Sequence, residues 1–169
     1  GLYSLLAARR GLDVLAFEPS AASFAALARN AEINGLDDRI AAYCLAFVEK
    51  TGLVTLHMAS SAAGHSMHSI EARAGGVRQA VPGFSVDDFI ARFNASPPDA
   101  IKLDVDGIEP AILRGAGRTL REHVREVLVE IDGANAAAGG NGIPEILAEC
   151  GFVEIPIPGA GRNRRFVRR

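Results

Sequence analysis

The chain has 169 residues, 49% of them hydrophobic, which suffices for one domain with a substantial core and excludes two ordinary ones. Its formal net charge of −2 excludes a general attraction to nucleic acid or to an anionic membrane. No apolar run approaches the ~20 residues that span a bilayer, so a single domain over residues 1–169 in the cytoplasm is expected, with neither nucleic acid nor membrane as a partner.

Gly1-Leu2-Tyr3-Ser4-Leu5-Leu6 opens directly in an amphipathic helical pattern, with no initiating Met and no leading strand, so the chain is expected to be a fragment. Leu2, Leu5 and Leu6 recur at helical spacing and Gly11 ends the segment. Asp13-Val14-Leu15-Ala16-Phe17 is a short strand running into Glu18-Pro19-Ser20. Phe24, Leu27, Ala28 and Ala31 repeat at i, i+3, i+4, i+7, closed by Asn34-Gly35. A strand over residues 40–46, a turn at Lys50-Thr51-Gly52 and an alternating strand over 53–58 follow. From 59 to 83 the periodicity is lost among Ser, Ala, Gly and His, which predicts a long loop.

Order resumes at Ser85-Val86-Asp87-Asp88, which resembles a capping box, with Val86, Phe89, Ile90 and Phe93 on one helical face. Pro97-Pro98 separates this helix from a strand over 99–105. Ile108, Ile112, Leu113, Ala116 and Leu120 make the stripe of one further helix, and residues 125–131 another strand. Pro144 near a helix start, an apolar face of Ile146, Leu147 and Cys150, and Gly151 past the end define a last short helix. Strands over 152–157 and 164–168, joined by a Pro-Gly-Ala-Gly turn, read as an antiparallel hairpin. This alternation predicts an α/β fold whose sheet is mostly parallel, with helices on both faces and the hairpin as its antiparallel part.

Carboxylates concentrate at two strand-to-helix corners. In Ile101-Lys102-Leu103-Asp104-Val105-Asp106-Gly107-Ile108-Glu109-Pro110, Asp104 and Asp106 lie two apart and share a face of an extended strand. Gly107 permits a sharp reversal, and Glu109-Pro110 reads as a first helical turn. Ligands of open α/β sheets bind in the crevice at the carboxyl ends of the strands, so Asp104, Asp106 and Glu109 are candidates for a general base or an orienting carboxylate beside an attacking hydroxyl. The plainer reading is helix capping plus pairing with Lys102 or Arg114. Glu18 ends its own apolar strand and Pro19 stops that strand, which suits an acid that accepts the hydroxyls of a ribose. The two corners are expected to meet over one pocket.

The remaining polar residues carry less chemistry. His65 and His68 have no ligand at zinc-site spacing, and no metal is expected; Asp132 and Asn135, with Asp104, are the alternative for a hard cation. His57 and His123 read as ordinary strand and helix-end residues. Cys44 and Cys150 read as buried thiols of a reducing compartment. The basic tail from Arg162 to Arg169 reads as an arginine-rich edge strand.

These stretches resemble the FkbM-type family of S-adenosylmethionine-dependent methyltransferases. Gly1-Leu2-Tyr3-Ser4-Leu5 is similar to the end of that family's glycine-rich first motif, and Ala16-Phe17-Glu18-Pro19-Ser20 to its ribose-binding corner. Asn30 to Gly35 resembles the end of the helix that follows, while Ser85-Val86-Asp87-Asp88-Phe89, the run from Ile101 to Glu109, Leu113-Arg114-Gly115-Ala116 and Arg165-Phe166-Val167-Arg168 resemble later signatures. The family usually has Glu where Asp106 stands, and residues 60–76 match poorly. The resemblance implies a Rossmann-like class I sheet with its first strand ahead of Gly1, S-adenosylmethionine as cofactor, and methylation of a hydroxyl on a sugar or secondary metabolite. It implies that Glu18, with Pro19 and Ser20, holds the ribose, that the backbone near Ala46 borders the adenine, that Gly1 lies by the methionine part, and that Asp104 or Asp106 faces the acceptor. The rival expectations are an NAD-dependent oxidoreductase, which also uses an acid after a strand, and a non-catalytic Rossmann-like binding module.

Overall fold

The helix and strand periods of the sequence are realised over residues 1–58, 76–105, 107–131, 142–159 and 161–169, which the computed structural model describes. They fall into two compact units, Gly1–Ala46 with Gly52–Gly83, and Phe47–Thr51 with Phe84–Arg169.

In the first unit, α1 (Leu2–Arg9), β1 (Val14–Phe17), α2 (Ala21–Ile33) and β2 (Ile40–Tyr43) alternate helix and strand, and β1 and β2 pair in parallel, Val14 with Ile40 through Phe17 with Tyr43. Phe17 and Tyr43 stack with ring centroids 5.3 Å apart. Ala8, Ala16, Leu27, Ala31, Leu36 and Ile40 make the core between them. α2 stops because Gly35 takes φ +61°, which a side chain would resist. The Gly35 and Leu36 amides then donate to Glu32 and Ala31 at 3.0 and 2.9 Å, and Leu36 packs back on Ala31, the Schellman ending.

The strand expected over 40–46 is two strands. β2 ends at Tyr43, and β3 (Ala46–Phe47) belongs to a different sheet of order β3-β5-β4, with β4 (Gly52–Met58) and β5 (Val77–Phe84). β5 corrects the long loop expected over 59–83. It pairs antiparallel with β4 from Gly52–Gly83 to Met58–Val77. Pro82 and Gly83 inside it argue against a strand when read locally; its pairing supplies the missing argument, with Val81 and Gly83 buried and Pro82 outward.

The second unit contains α3 (Val86–Phe93), β6 (Ala100–Leu103), α4 (Glu109–Arg114), α5 (Gly117–Glu122), β7 (Glu126–Glu130), α6 (Ile143–Glu149), β8 (Phe152–Ile155) and β9 (Asn163–Arg168). Its sheet has the order β6-β7-β9-β8, with β6 and β7 parallel and β9 antiparallel to both of its neighbours. The fold is therefore mixed α/β: β1–β2 and β6–β7 are parallel, β9 runs against both of its neighbours and forms the expected C-terminal hairpin with β8, and the antiparallel β4–β5 pair is an element the sequence did not lead one to expect. β9 also lies inside its sheet, so its arginines are not an edge device. Arg165 forks onto Glu126 with both contacts at 2.8 Å, Arg164 pairs with Glu154, and Arg168 lies over the Phe152 ring at 5.2 Å. Leu113, Leu120, Val124, Val127, Val129, Leu147 and Phe166 are almost wholly buried in the core around this sheet.

The expected single helix from Ile108 to Leu120 breaks into α4 and α5 at Gly115 and Ala116. A Cβ on Gly115 would stand 2.6 Å from the Val48 carbonyl oxygen, so the backbones touch there. Asp87 of α3 restarts the helix as α5: its carboxylate accepts from the Arg118 amide at 2.9 Å, the Thr119 amide at 2.9 Å and the Thr119 hydroxyl at 2.6 Å. The capping box at Ser85 is closed by a third residue. Ser85 Oγ accepts from the Asp88 amide at 3.1 Å, while the Ser85 amide donates to Thr51 Oγ1, whose hydroxyl donates to Asp88. α6 has the expected bounds and face. Among the described residues both cysteines are free thiols, and no helix is long and apolar enough to cross a membrane.

Candidate functional site

The first corner is built where β1 runs out. Glu18 donates its amide to the Tyr43 carbonyl at 3.0 Å, extending the parallel ladder by one residue, and Pro19, which has no N–H, cannot continue it. Ser20 turns extended backbone into α2, is almost wholly buried, and makes no cap bond with its hydroxyl. Its amide donates instead to Glu18 Oε1 at 2.9 Å. One carboxylate oxygen of Glu18 is thus folded onto the backbone, and the half-buried group has no further partner among the described residues.

Gln79 of β5 braces this corner. Its Nε2 donates to the Pro19 carbonyl at 2.8 Å and its Oε1 accepts from the Ala21 amide at 3.1 Å. The Cys44 thiol approaches the same carbonyl at 3.8 Å, and burial, then the nearby Glu18 charge, push that thiol up from its ordinary value. Gly1 stands at the start of α1, its Cα so close to α2 that a Cβ would meet Leu27 Cδ1 at 2.4 Å. Ala46 is buried in β3.

In the second unit, Asp104 follows β6 as an exposed residue, and Lys102, two positions back on the same face, sets its Nζ 2.8 Å from Asp104 Oδ2. Leu103 pairs with Val129 in the parallel register, so the next residues, Asp104 and Glu130, come side by side. They hydrogen-bond to one another, and Arg162 Nε lies 2.9 Å from Glu130 Oε1. Partial burial pushes the Asp104 carboxyl up, but its hydrogen bonds with Lys102 and Glu130 outweigh that and hold it below the ordinary 3.8. The hydrogen bond with Asp104, reinforced by burial, lifts Glu130 above its ordinary 4.5. The two neighbouring carboxyls are therefore driven apart, Asp104 toward its ionised form and Glu130 toward its protonated one. Glu130 went unnoticed in the sequence because an acid ending a strand is common; only the adjacency of β6 and β7 makes it Asp104's partner.

Gly107, at φ +104°, makes the expected reversal, its amide donating to the Val105 carbonyl at 2.8 Å. Glu109 is 4% exposed in the first turn of α4 and accepts the Val105 amide at 3.3 Å, so its carboxylate ties the loop to the helix. Arg114 pairs with Glu49 at 3.0 Å, away from this corner. Asp106, His65, His68, Asp132 and Asn135 lie outside the described residues, and among the described ones no three ligating side chains gather as for a metal.

A shallow cavity of about 320 Å³ opens near Pro97, Asp99, His123 and Arg125. It lies at the amino ends of β6 and β7, where Asp99 is roughly 16 Å along the chain from Asp104 at ~3.3 Å per residue. Ligands favour the carboxyl ends, so the candidate sites are the acidic corners, one in each unit, and not this cavity.

The family model of the methyltransferase FkbM domain matches residues 2–154. The chain is similar in fold to the crystal structure of methyltransferase FkbM from Methylobacillus flagellatus KT, with a TM-score of 0.60 and 18% sequence identity over 98% of this chain and 40% of that one. The chain thus spans 40% of the length of that protein. No curated protein matches it.

Proposed function

Because the chain belongs to the FkbM methyltransferase family, we propose that it transfers the methyl group of S-adenosylmethionine to a hydroxyl of a saccharide or secondary-metabolite acceptor. The proposal takes residues 1–169 as one methyltransferase domain with a class I, Rossmann-like sheet. S-adenosylmethionine supplies a sulfonium-activated methyl carbon. The chain's residues fit it at the first corner: Glu18 presents an acceptor whose orientation is held through Ser20, and a carboxylate so placed suits the two donors of a ribose. Gly1 and Ala46 are taken as the backbone flanking the cofactor.

The observation that carries the reading is the Asp104–Glu130 pair with Lys102 at 2.8 Å. Asp104 stays ionised at neutral pH and can take the proton of the acceptor hydroxyl as its oxygen attacks. Lys102 fixes that carboxylate, Glu130 stands beside it at the end of the neighbouring strand, and Glu109 anchors the loop that follows. Most of the acceleration comes from holding the acceptor in line with the methyl carbon; proton removal adds roughly 10²–10⁴-fold.

Incubation with methyl-labelled S-adenosylmethionine and a panel of saccharide and secondary-metabolite alcohols tests this. Label should pass to an alcohol oxygen, and Asp104→Asn should slow transfer by that factor while leaving cofactor affinity unchanged. Undiminished transfer by the variant removes Asp104 as base, and cofactor binding without any transfer marks a non-catalytic module.

A further inference from the structure

The ribose-reading corner is held by a side chain 60 residues away in the chain. β1 ends just before Glu18, and neither of the two residues after Glu18 offers a side-chain hydrogen bond that fixes the turn: Pro19 has none to give and the Ser20 hydroxyl makes no cap bond. Gln79 fills that gap. Its amide bridges the Pro19 carbonyl at 2.8 Å and the Ala21 amide at 3.1 Å, one donor and one acceptor used as a backbone strand would use them. Gln79 is directed there by register. It faces Leu56 across the β4–β5 ladder and shares its face with buried Val81, so a polar side chain is turned inward where an apolar one would ordinarily sit. A polar group there must be satisfied, and among the described residues its side-chain hydrogen bonds all go to the corner.

We infer that Gln79 is a positioning residue for cofactor recognition, fixing the Glu18-Pro19-Ser20 turn so that the Glu18 carboxylate meets the ribose hydroxyls. This rests on the reading of Glu18 as the ribose acid. Gln79 touches no ligand itself. Its contribution is preorganisation: with both bonds present the carboxylate is already aimed, and without them ordering the turn is charged against binding.

Calorimetry with two probes separates this role from general support. The probes are S-adenosylhomocysteine and its 2′,3′-dideoxy analogue, which lacks both ribose hydroxyls. Gln79→Met keeps the volume and removes both hydrogen bonds; Gln79→Glu keeps the acceptor for Ala21 and is the second variant should the first fail to fold. Gln79→Met should weaken S-adenosylhomocysteine by roughly tenfold and leave the dideoxy analogue within about twofold of wild type, with Gln79→Glu between. Equal weakening of both probes, or of neither, overturns the assignment while Glu18→Gln still loses selectivity for the hydroxyls. Wild-type protein that binds both probes alike overturns the ribose reading of Glu18 and this inference together.

Discussion

Asp104 and Glu130 end neighbouring parallel strands, hydrogen-bond to each other, and carry opposite displacements of their carboxyl groups. Each has its own cation, Lys102 at 2.8 Å and Arg162 at 2.9 Å. The cations pull both down; the hydrogen bond between the two carboxyls, which lowers Asp104 and raises Glu130, is what drives them apart.

That relationship sets a pH dependence. Asp104 is lowered, so its stabilisation is complete above the ordinary 3.8 and lost as pH falls through its native value. Glu130 is raised, so its stabilisation is complete below the ordinary 4.5 and lost as pH rises through its native value. Linkage then makes the pair most stabilising between the two native values. Glu130→Gln should abolish the loss on the alkaline side and keep the acid-side loss, as read from denaturation midpoints against pH. Superimposable profiles for variant and wild type would contradict the raised Glu130 carboxyl.

At the first corner, Glu18→Gln preserves an oxygen for the Ser20 amide but removes the charge. Hydrogen bonds to a charged group contribute ~1.5–3 kcal/mol, so affinity for S-adenosylmethionine should fall by about 10–100-fold in calorimetry. Glu18→Ala should lose at least as much. Unchanged affinity in both variants rules out the ribose role.

Asp87 ties α3 to the start of α5 through three hydrogen bonds. Asp87→Ala leaves two amides of α5 without that partner, and should cost about 1–3 kcal/mol, seen as a lower urea midpoint at constant m-value. Asp87→Asn, which keeps one acceptor oxygen, should lose less.

Gly115→Ala inserts a methyl 2.6 Å from the Val48 oxygen and 3.0 Å from that of Glu49. Both obstacles are backbone and cannot rotate away. The substitution should destabilise by about 1–3 kcal/mol, despite the better helix propensity of alanine. An unaltered melting temperature would show that α4 and α5 can part from that backbone without cost.

Much of this was legible in the residues alone. The helix α6 follows from Pro144, the apolar face and Gly151, and the end of α2 from Asn34-Gly35, because caps and periodicity act within one or two turns. The turn at Gly107 and the first-turn position of Glu109 were equally local. β5 was not legible, since Pro82 and Gly83 interrupt its pattern and only the β4 ladder defines it. Gln79 was hidden with it. The break at Gly115 was invisible because Ile108 to Leu120 keep one apolar stripe across it, while its cause is the approach of Val48.

Local periodicity and the acids at strand ends were enough to announce an α/β chain, to mark Glu18 and Asp104, and to bring out the likeness to methyltransferases, because burial of one face leaves its signature in residue spacing. Which strands become neighbours leaves no such signature. β9 lies between β7 and β8, Glu130 stands beside Asp104, and Gln79 reaches Pro19 through hydrogen bonds between segments remote in the chain, and those partners are chosen only when the whole sheet assembles.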